Sequence, residues 1–370
     1  MKRVLITPLD WGLGHATRSI PVIRELQRQG CDVLIAGAGD SLDLLKREFR
    51  DVPSTALPGY EPRYPAHRSM AVIMARQLPR FIRVISAEHQ AVEKIVKAEG
   101  IGLLISDNRY GCWSEHVPSV LITHQSNILM PRRFGFLGGV VRRATEQLLN
   151  RFDMCWIPDF PEGHSLAGDL IAFGKLRIPE VRYIGWLSRF QRRPAEHDQM
   201  YDVLAVFSGP EPQRTVLERK VLPQLQSSGL RFRMVRGLPT ASTEENETVI
   251  NFLESKDLQD HIESSGLIIA RSGYSTVMDL QALGKKAIFI PTPGQTEQEY
   301  LAARLMDKGI AFSMPQDEFN LSTALIKSKN YSGFKPSEKN TLLAKAVHEL
   351  IIKNQAARSA EDKQIKPNTH

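Results

Sequence analysis

The chain has 370 residues, and its 48 Lys and Arg against 41 Asp and Glu give a formal net charge of +7. A hydrophobic content of 42% and a charged content of 24% are ordinary globular values and exclude a disordered or fibrous protein. The length predicts two domains. The apolar runs are too short to span a bilayer, and three scattered cysteines without metal-ligand spacing favour free thiols in a reducing cytoplasm.

The first half of the chain predicts alternating strands and helices. Buried strands are predicted at residues 3–7 and 31–39, and the segment between them predicts a helix that Gly30 ends. Further strands are predicted at residues 102–106, 119–123 and 154–158. This alternation favours an α/β fold with a doubly wound parallel sheet.

A second α/β series begins at residue 202, with strands predicted at 202–209, 231–235, 248–253, 266–270 and 286–291. The polar, basic stretch between the two series predicts a hinge. We therefore predict an N-terminal domain over residues 1–185, a hinge over 186–200, a C-terminal domain over 201–352 and a frayed tail over 353–370. Two such sheets joined by one linker predict a cleft, where ligands bind beyond the carboxyl ends of the strands.

The segment PLDWGLGHATRSIP directly follows the first predicted strand. Gly12 and Gly14 allow a tight turn, and the helix start behind them offers N–H groups and a positive dipole end to an anion. His15 lies where the loop enters the helix, so we expect its imidazole to face the cleft. The segment lacks the third glycine of the dinucleotide fingerprint. A capping or packing histidine is an equally good interpretation of His15.

Two late segments repeat the strand–turn–helix pattern. In ARSGYSTVMDLQALGKK, Gly273 permits close backbone approach, and Asp279 lies about one turn into the helix, where it could accept two hydrogen bonds from a ribose diol. A capped helix with a solvent-facing Asp is the alternative. In IPTPGQTEQEYLAARLMDKG, a group of polar side chains lies at a helix start, where sugar hydroxyls could be bound. These residues are Gln295, Glu297, Gln298 and Glu299. Solvated helix caps have the same pattern and are the alternative.

Three further polar segments follow predicted strands. FSGPEPQR places Ser208 and Gly209 in a turn, with Arg214 as the counter-charge for a diphosphate. SDNRYG and THQS follow strands of the first domain and open onto the same cleft. Their candidates to orient His15 or to hold an acceptor are Asp107, Arg109 and His124, although strand-end residues of these types often only cap loops.

Together, GLGHATRS, RSGYSTVMDLQALGK and IPTPGQTEQEYLA resemble the GT-B glycosyltransferases, most nearly family 28, the family of the bacterial UDP-GlcNAc transferase that acts on lipid-linked muramyl-pentapeptide. The resemblance covers most of the chain and is tighter over 202–312 than over 1–130. It implies two Rossmann-like domains that face a cleft, with the acceptor on the N-terminal side and a nucleotide sugar on the C-terminal side.

The resemblance also implies roles for individual residues. His15 would be the base that faces the acceptor, and Asp279 would hold the donor ribose. The remaining donor-binding candidates are Gly14, Ser208, Gly209, Arg214, Arg271, Ser272, Gly273, Ser275, Thr276, Gln295, Gln298 and Glu299. Glu299 stands where the relatives have a second Gln.

We therefore predict an inverting, metal-independent glycosyltransferase. It would move a hexose or N-acetylhexosamine from a nucleotide sugar, with a UDP-sugar as the expected donor, to a hydroxyl or phosphate acceptor. A histidine base takes the acceptor proton, and helix N-termini stabilise the leaving diphosphate without magnesium, so no metal or other cofactor is expected. A nucleotide-sugar hydrolase or epimerase of the same fold is the alternative.

The stretch ILMPRRFGFLGGVVRR, residues 128–143, combines apolar side chains with flanking arginine pairs. One interpretation is a surface loop followed by a core helix. The other is a peripheral contact with anionic lipid at the inner face of the cell membrane, where a lipid-linked acceptor would be reached. The residues concerned are Arg132, Arg133, Phe134, Phe136, Arg142 and Arg143. No nucleic-acid-binding signature accompanies these charges, so nucleic acid is not an expected partner.

Overall fold

The computed structural model of the chain describes residues 3–61, 70–124, 138–161, 163–171, 180–193, 198–209, 211–238, 244–336 and 340–365, with the backbone alone for 70–75, 138, 140–142 and 357–365. Within these ranges the chain forms two parallel β-sheets with helices packed against them. The predicted α/β fold with two doubly wound sheets is confirmed.

The strands of the first sheet are β1 (Arg3–Pro8), β2 (Val33–Gly37), β3 (Ser54–Ala56), β4 (Ile101–Asp107), β5 (Ser119–Ile122), β6 (Met154–Ile157) and β7 (Val181–Tyr183). They are hydrogen-bonded in the order β3-β2-β1-β4-β5-β6-β7. Every residue of β4 is buried, as expected for an aliphatic strand in a parallel sheet that is covered on both faces. The register pairs Pro8 with Asp107, so the ends of β1 and β4 lie side by side.

The helices around this sheet are α1 (Leu13–Arg28), α2 (Gly39–Glu48), α3 (Met70–Ala98) and α4 (Gly138–Leu149), with a short 3₁₀ helix at Gly168–Leu170. The apolar side chains of α1 recur three or four residues apart, which buries Ala16, Ile20 and Ile23 against the sheet. Gly12, with φ of 84°, forms the turn that leads from β1 into α1.

The second sheet contains β8 (Tyr201–Val206), β9 (Phe232–Val235), β10 (Val249–Ile250), β11 (Ser265–Ala270), β12 (Ala287–Phe289) and β13 (Phe312–Ser313), in the order β10-β9-β8-β11-β12-β13. Its helices are α5 (Gln213–Gln226), α6 (Ser255–Glu263), α7 (Tyr274–Leu283), α8 (Thr296–Asp307) and α9 (Leu321–Ser328), followed by α10 (Leu342–Ile365). In both sheets the first strand lies centrally and the strand order reverses beside it, which is where ligands of such folds bind.

The C-terminal helix differs from the sequence prediction. Residues 353–365 fall in the predicted frayed tail, but they continue α10. This helix packs back on the N-terminal half: Asn354 Nδ2 donates to the Gly102 carbonyl at 2.9 Å, and Lys353 pairs with Glu180 at 3.1 Å. Contacts with a distant part of the chain therefore support a segment whose composition alone suggested fraying.

The strand at 248–253 was also predicted too long, because only Val249–Ile250 pair with β9. The predicted hinge lies between β7 and β8, and its boundaries stay a prediction. No helix within the described ranges is long and apolar enough to cross a membrane.

Candidate active site

His15 lies in the first turn of α1, directly behind the loop that leaves β1. Its Nδ1 is 2.9 Å from Oδ1 of Asp107, the last residue of β4. The two residues meet because β1 and β4 are paired and their carboxyl ends lie at the same edge of the sheet. The His15 side chain remains 16% exposed, whereas that of Asp107 is 2% exposed. The predicted proximity of the two side chains is thus present in the structure.

Arg18 completes this group, although it is not among the candidates predicted from the sequence. It follows His15 by one helical turn, and its side chain is 1% exposed. Arg18 Nε donates to Asp107 Oδ2 at 2.6 Å, and Nη2 donates to Oδ1. The buried carboxylate is therefore held by a two-point guanidinium contact, which fixes its orientation as well as its charge. The spacing of Arg18 from His15 in GLGHATRS was the available signal.

His124 joins the same network just beyond β5. Its Nδ1 lies 2.7 Å from Arg18 Nη1 and, because a guanidinium can only donate, this nitrogen accepts. The proton then resides on Nε2, which lies 3.3 Å from Oε1 of Glu297 at the start of α8. Tyr274, the first residue of α7, stacks on the imidazole with ring centroids 4.5 Å apart. Both halves of the chain therefore contribute to one polar cluster.

The charges of this cluster follow from burial and pairing. Burial alone would raise the pKa of Asp107, but the charges of Arg18 and His15 more than offset it and lower the pKa to about 2. Burial and the neighbouring Arg18 lower the pKa of His15, while Asp107 opposes them. Burial opposes the ionisation of Glu297, yet His124 and Arg18 keep its pKa below the usual range. Near neutral pH the cluster thus contains two carboxylates and a neutral His15.

The neutral His15 can hold its proton on either nitrogen. Its Nδ1 lies 2.9 Å from Asp107 Oδ1 and 2.8 Å from Arg18 Nη2, which bears two hydrogens and also donates to Asp107 Oδ1, so Nδ1 faces both an acceptor and a donor. An ionised carboxylate is the stronger acceptor, so we assign the His15 proton to Nδ1, where it is donated to Asp107. Nε2 is then left with a lone pair. This arrangement equips His15 to accept a proton.

The start of α7 faces this cluster across the cleft. Ser275 Oγ donates to the Gly14 carbonyl at 2.8 Å, and a Cβ on Gly14 would lie 3.1 Å from that hydroxyl oxygen. Gly14 therefore permits the close approach of the two halves. Gly273 is the N-cap of α7 without a side-chain cap, and Thr276 is half-buried in the first turn. These four donor-binding candidates lie together.

The residues around the start of α8 divide into two groups. Gln298 Oε1 accepts from Thr292 N at 2.8 Å, and Glu299 Oε1 accepts from Gly294 N at 2.7 Å, so the amide oxygen and the carboxylate oxygen both hold the preceding loop. Ser272 Oγ donates to the Gln298 carbonyl at 2.8 Å, which joins the turn before α7 to α8. Glu297, in contrast, faces His124. The half-buried Gln295 is the N-cap of α8.

Two arginines predicted to bind the donor make contacts within their own domain. Arg271 is buried, and its Nη1 donates to the carbonyls of Ile290 and Pro291 at 3.0 Å; burial lowers the pKa of its guanidinium to about 10. Arg214 is paired with Glu211 and with Glu218, the latter at 2.8 Å.

Arg271 therefore braces the β12–α8 loop, and the charge of Arg214 is compensated locally. The two candidates in the loop between β8 and α5 are the half-buried Ser208 and the exposed Gly209, whose φ of 105° favours glycine.

Asp279 lies beside the predicted hinge. Its Oδ1 accepts from Ser188 Oγ at 2.7 Å, and its Oδ2 is 3.6 Å from Arg189 Nε. Burial raises the pKa of Asp279, against the opposing effects of Arg189 and Ser188. Arg189 also lines a cavity of about 340 Å³ between the two halves. Other basic residues of its lining are Arg24, Arg47, Arg193 and Lys256.

Of the acceptor-side candidates, Arg109 makes its contacts within the N-terminal half. Arg109 is 0% exposed, and its guanidinium contacts Asp10 at 3.1 Å and Glu88 at 3.3 Å. A guanidinium buried in this way presents no surface to an acceptor. Of the two arginines in α4, Arg143 is exposed, and the side chain of Arg142 lies outside the described residues, as do Arg132, Arg133, Phe134 and Phe136.

No group of three or more His, Cys, Asp and Glu side chains that could hold a metal ion occurs in the part of the chain that the structure describes. Cys31, Cys112 and Cys155 are buried free thiols.

Comparison with known proteins identifies the C-terminal half. Residues 213–362 match the model of the glycosyltransferase family 28 C-terminal domain. An uncharacterized glycosyltransferase of Methanosarcina mazei is 23% identical over 345 residues, which is 85% of this chain and 87% of the relative.

A second relative is named UDP-N-acetylglucosamine–N-acetylmuramyl-(pentapeptide) pyrophosphoryl-undecaprenol N-acetylglucosamine transferase, from Actinobacillus pleuropneumoniae. It is 24% identical over 341 residues, 88% of each chain. Among solved structures, the spinosyn rhamnosyltransferase SpnG complexed with thymidine diphosphate superposes with a TM-score of 0.57 at 14% identity, over 98% of this chain and 100% of that chain. The resemblance found from the sequence is confirmed: the chain is a glycosyltransferase of GT-B architecture that carries a family 28 C-terminal domain.

Proposed function

We propose that the protein is an inverting, metal-independent glycosyltransferase in which His15 is the general base. It transfers a hexose or N-acetylhexosamine from a nucleotide sugar, with UDP-sugar as the donor we favour, to an acceptor hydroxyl. The observation that carries this proposal is the contact of His15 Nδ1 with Asp107 at 2.9 Å, in a cleft where the start of α7 lies opposite. Base and leaving-group site are thereby adjacent.

The proposed reaction has one displacement step. His15 Nε2 takes the proton of the acceptor hydroxyl as its oxygen attacks the anomeric carbon. The bond from that carbon to the donor diphosphate breaks on the opposite face, so the configuration inverts. The ionised Asp107 stabilises the imidazolium that forms on His15 and keeps its ring oriented.

The leaving diphosphate is assigned to the N-terminus of α7. Gly273 caps this helix without a side-chain hydrogen bond, so the first N–H groups and the positive end of the dipole are directed at the cleft. Backbone N–H groups at such a position suit a phosphate without any metal ion. The hydroxyl of Ser275 is half-buried at the same point. That a structural neighbour binds thymidine diphosphate supports a nucleotide donor.

The nucleoside of the donor is assigned to the cavity beside Asp279. Ser188 Oγ already donates to Asp279 Oδ1 at 2.7 Å, which is the contact that a ribose hydroxyl would make in its place. The adjoining cavity of about 340 Å³ has room for a base, and Arg189 lies between it and the carboxylate. The donor would thus extend from this cavity to the start of α7.

The donor sugar is assigned to the start of α8. Glu297 faces His124 in the polar cluster that includes His15, and its ionised carboxylate can accept hydrogen bonds from sugar hydroxyls. Gln298 and Glu299 accept hydrogen bonds from Thr292 N and Gly294 N, and we assign them the role of fixing the loop beside the donor sugar.

A lipid-linked acceptor at the inner face of the cell membrane is the acceptor that we favour. The name of the Actinobacillus relative includes an undecaprenol-linked acceptor. In this chain, Leu78 and Ile82 are 56% and 59% exposed, one turn apart on α3, with the exposed Arg76 and Arg83 nearby. Aliphatic side chains flanked by arginines suit an anionic membrane surface.

Vesicle co-sedimentation tests this attachment. We expect the protein to bind anionic but not neutral vesicles, and to lose binding in salt and in a Leu78→Ser/Ile82→Ser variant. Ile326→Ser is the matched control, because Ile326 is 68% exposed in the other domain. Replacing the four arginines at 132, 133, 142 and 143 by Ser tests the contact predicted from residues 128–143. Equal recovery with both vesicle types would favour a soluble acceptor.

Turnover of nucleotide sugars tests the main proposal. A thermal-shift panel first identifies the donor, because a ligand that binds the folded state raises the melting temperature. His15→Ala should then lower the rate of nucleoside diphosphate release by about 10²–10⁴-fold while donor affinity is kept. Inversion is read from the anomeric configuration of the product. Fast release of free sugar without any acceptor would instead favour a hydrolase.

A further inference from the structure

A second ion pair joins the two loops that carry His15 and Asp107. Asp10 lies in the β1–α1 loop, upstream of His15, and Arg109 lies beyond β4, two residues after Asp107. Arg109 Nη2 donates to Asp10 Oδ1 at 3.1 Å, and the two side chains are 0% and 6% exposed. The His15–Asp107 contact and the Asp10–Arg109 pair therefore connect the same two segments at two points.

The backbone of Asn108 explains how neighbouring residues reach separate partners. Asn108 has a φ of 55°, a left-handed conformation that Asn adopts more readily than most residues. Asn108 N donates to the Ile122 carbonyl at 3.1 Å, and Ser106 Oγ donates to the Arg109 carbonyl at 2.7 Å. This fixed turn directs Asp107 to His15 and Arg109 to Asp10.

Both members of the pair are held from a further side. Asp10 Oδ2 accepts from Tyr60 N at 2.8 Å. Arg109 Nη1 lies 3.3 Å from Glu88 Oε1, and Tyr60 Oη donates to Glu88 Oε2 at 2.7 Å. All of these residues belong to the N-terminal half, so the pair keeps its geometry independently of the other half.

We propose that Asp10 and Arg109 are positioning residues that set the distance and orientation of His15 relative to Asp107. This rests on the proposed role of His15 as the base. The β1–α1 loop turns at Gly12, and the ion pair anchors it just before that turn. Without the anchor, the loop and the first turn of α1 can move away from β4. Displacement of a reacting group by about 1 Å can cost 10²-fold in rate.

The test uses Asp10→Asn, which keeps the shape of the side chain and removes its charge, and Arg109→Lys as a milder second variant. Nitrogen NMR of the histidine side chains reports the tautomer and titration of His15 directly. We expect both variants to change these resonances and to lower kcat by about 10–10²-fold, with the KM for the donor unchanged. Asp32→Asn, which breaks the Arg3–Asp32 pair of 2.7 Å at the other end of β1, is the control and should change neither readout.

The outcomes separate positioning from mere stability. A lowered melting temperature with wild-type His15 resonances and kcat in either folded variant would overturn the proposal and leave the pair a structural role. Should His15→Ala retain its turnover, the proposed base would be wrong, yet the NMR readout would still show whether Asp10 and Arg109 set the His15–Asp107 geometry.

Discussion

Replacement of Asp107 by Asn tests the electrostatic design of the active site most directly. The Asp107 carboxylate is 2% exposed and contacts two groups, the guanidinium of Arg18 at two points and Nδ1 of His15. Asn keeps the size of the side chain but removes the charge. Its amide nitrogen can also donate to His15 Nδ1, which would place the His15 proton on Nε2 and block the lone pair that accepts from the acceptor.

Two losses follow from this change, and their magnitudes differ. Removing one partner of a buried ion pair costs about 3–5 kcal/mol of stability, and the remaining amide oxygen places this variant at the lower end. For turnover, a wrong tautomer and an unstabilised imidazolium remove general-base catalysis, which contributes about 10²–10⁴-fold. Asp107 also raises the pKa of His15 against burial and Arg18, so that pKa should fall further in the variant.

The measurement is kcat/KM for the acceptor between pH 5 and 9 with saturating donor, together with the melting temperature. The wild type should lose activity as the pH falls through the lowered pKa of His15, so its acid limb lies below the ordinary value of 6.5. In Asp107→Asn the plateau drops by about 10²–10⁴-fold, and any residual acid limb moves to lower pH.

Asp159→Asn is the matched control. Asp159 is another buried carboxylate, and it accepts from Trp186 Nε1 and from the backbone of the loop that follows it. Its loss should lower the melting temperature and leave the pH profile in place. A kcat within about threefold of the wild type in Asp107→Asn, with an unmoved acid limb, would refute the assigned roles of both Asp107 and His15.

Three further predictions concern acid stability, the donor and a second buried carboxyl. Because the pKa of Asp107 falls from 3.8 to about 2 on folding, about 2 kcal/mol of stability should be present above pH 4 and lost as the pH falls towards 2; acid-unfolding curves of the wild type and Asp107→Asn should differ there. Asp279→Ala should weaken nucleoside diphosphate binding at least tenfold by calorimetry, since a charge-assisted hydrogen bond contributes about 1.5–3 kcal/mol; an unchanged Kd would contradict the ribose assignment. Burial raises the pKa of Glu88 from 4.5 to about 7, so the free energy of unfolding of the wild type should fall by about 3 kcal/mol as the pH rises from 4.5 through 7. Glu88→Gln should lack this fall, and the same pH dependence of stability in both proteins would contradict the assignment.

Local patterns predicted the parts of the fold that depend on neighbouring residues. The aliphatic run of β4 and the helical spacing of α1 identified a strand and a helix without any knowledge of their partners. His15 could be placed at the carboxyl edge of the sheet because the loop after β1 must lie there in a parallel fold. The two-residue strand β10 was overestimated, because six residues of β-propensity do not reveal how many will find a partner.

Side chains that depend on distant partners were assigned less well. Arg109 was a candidate to hold the acceptor because it follows a strand, but Glu88 on α3 and Asp10 after β1 surround its guanidinium. The sequence shows that the three charged residues are present, but it does not show that they contact one another in the fold. Likewise, successive positions of a helix point about 100° apart, so the sequence could not tell which of the polar residues that begin α8 faces His124. Glu297 does, whereas Gln298 and Glu299 hold the preceding loop.

The contact between the two halves is what makes these side chains one site. Tyr274 stacks on His124, and its hydroxyl donates to the Pro158 carbonyl at 2.9 Å. In the sequence, Tyr274 is only an apolar position at the start of a helix. In the structure its ring stacks on His124 of the other half, and the next residue, Ser275, donates to the Gly14 carbonyl beside His15. In the proposed reaction, the proton acceptor of one half and the anion-binding helix of the other must meet at one bond, and the contacts of Tyr274 and Ser275 hold the start of α7 against the loop and strand that carry His15 and His124.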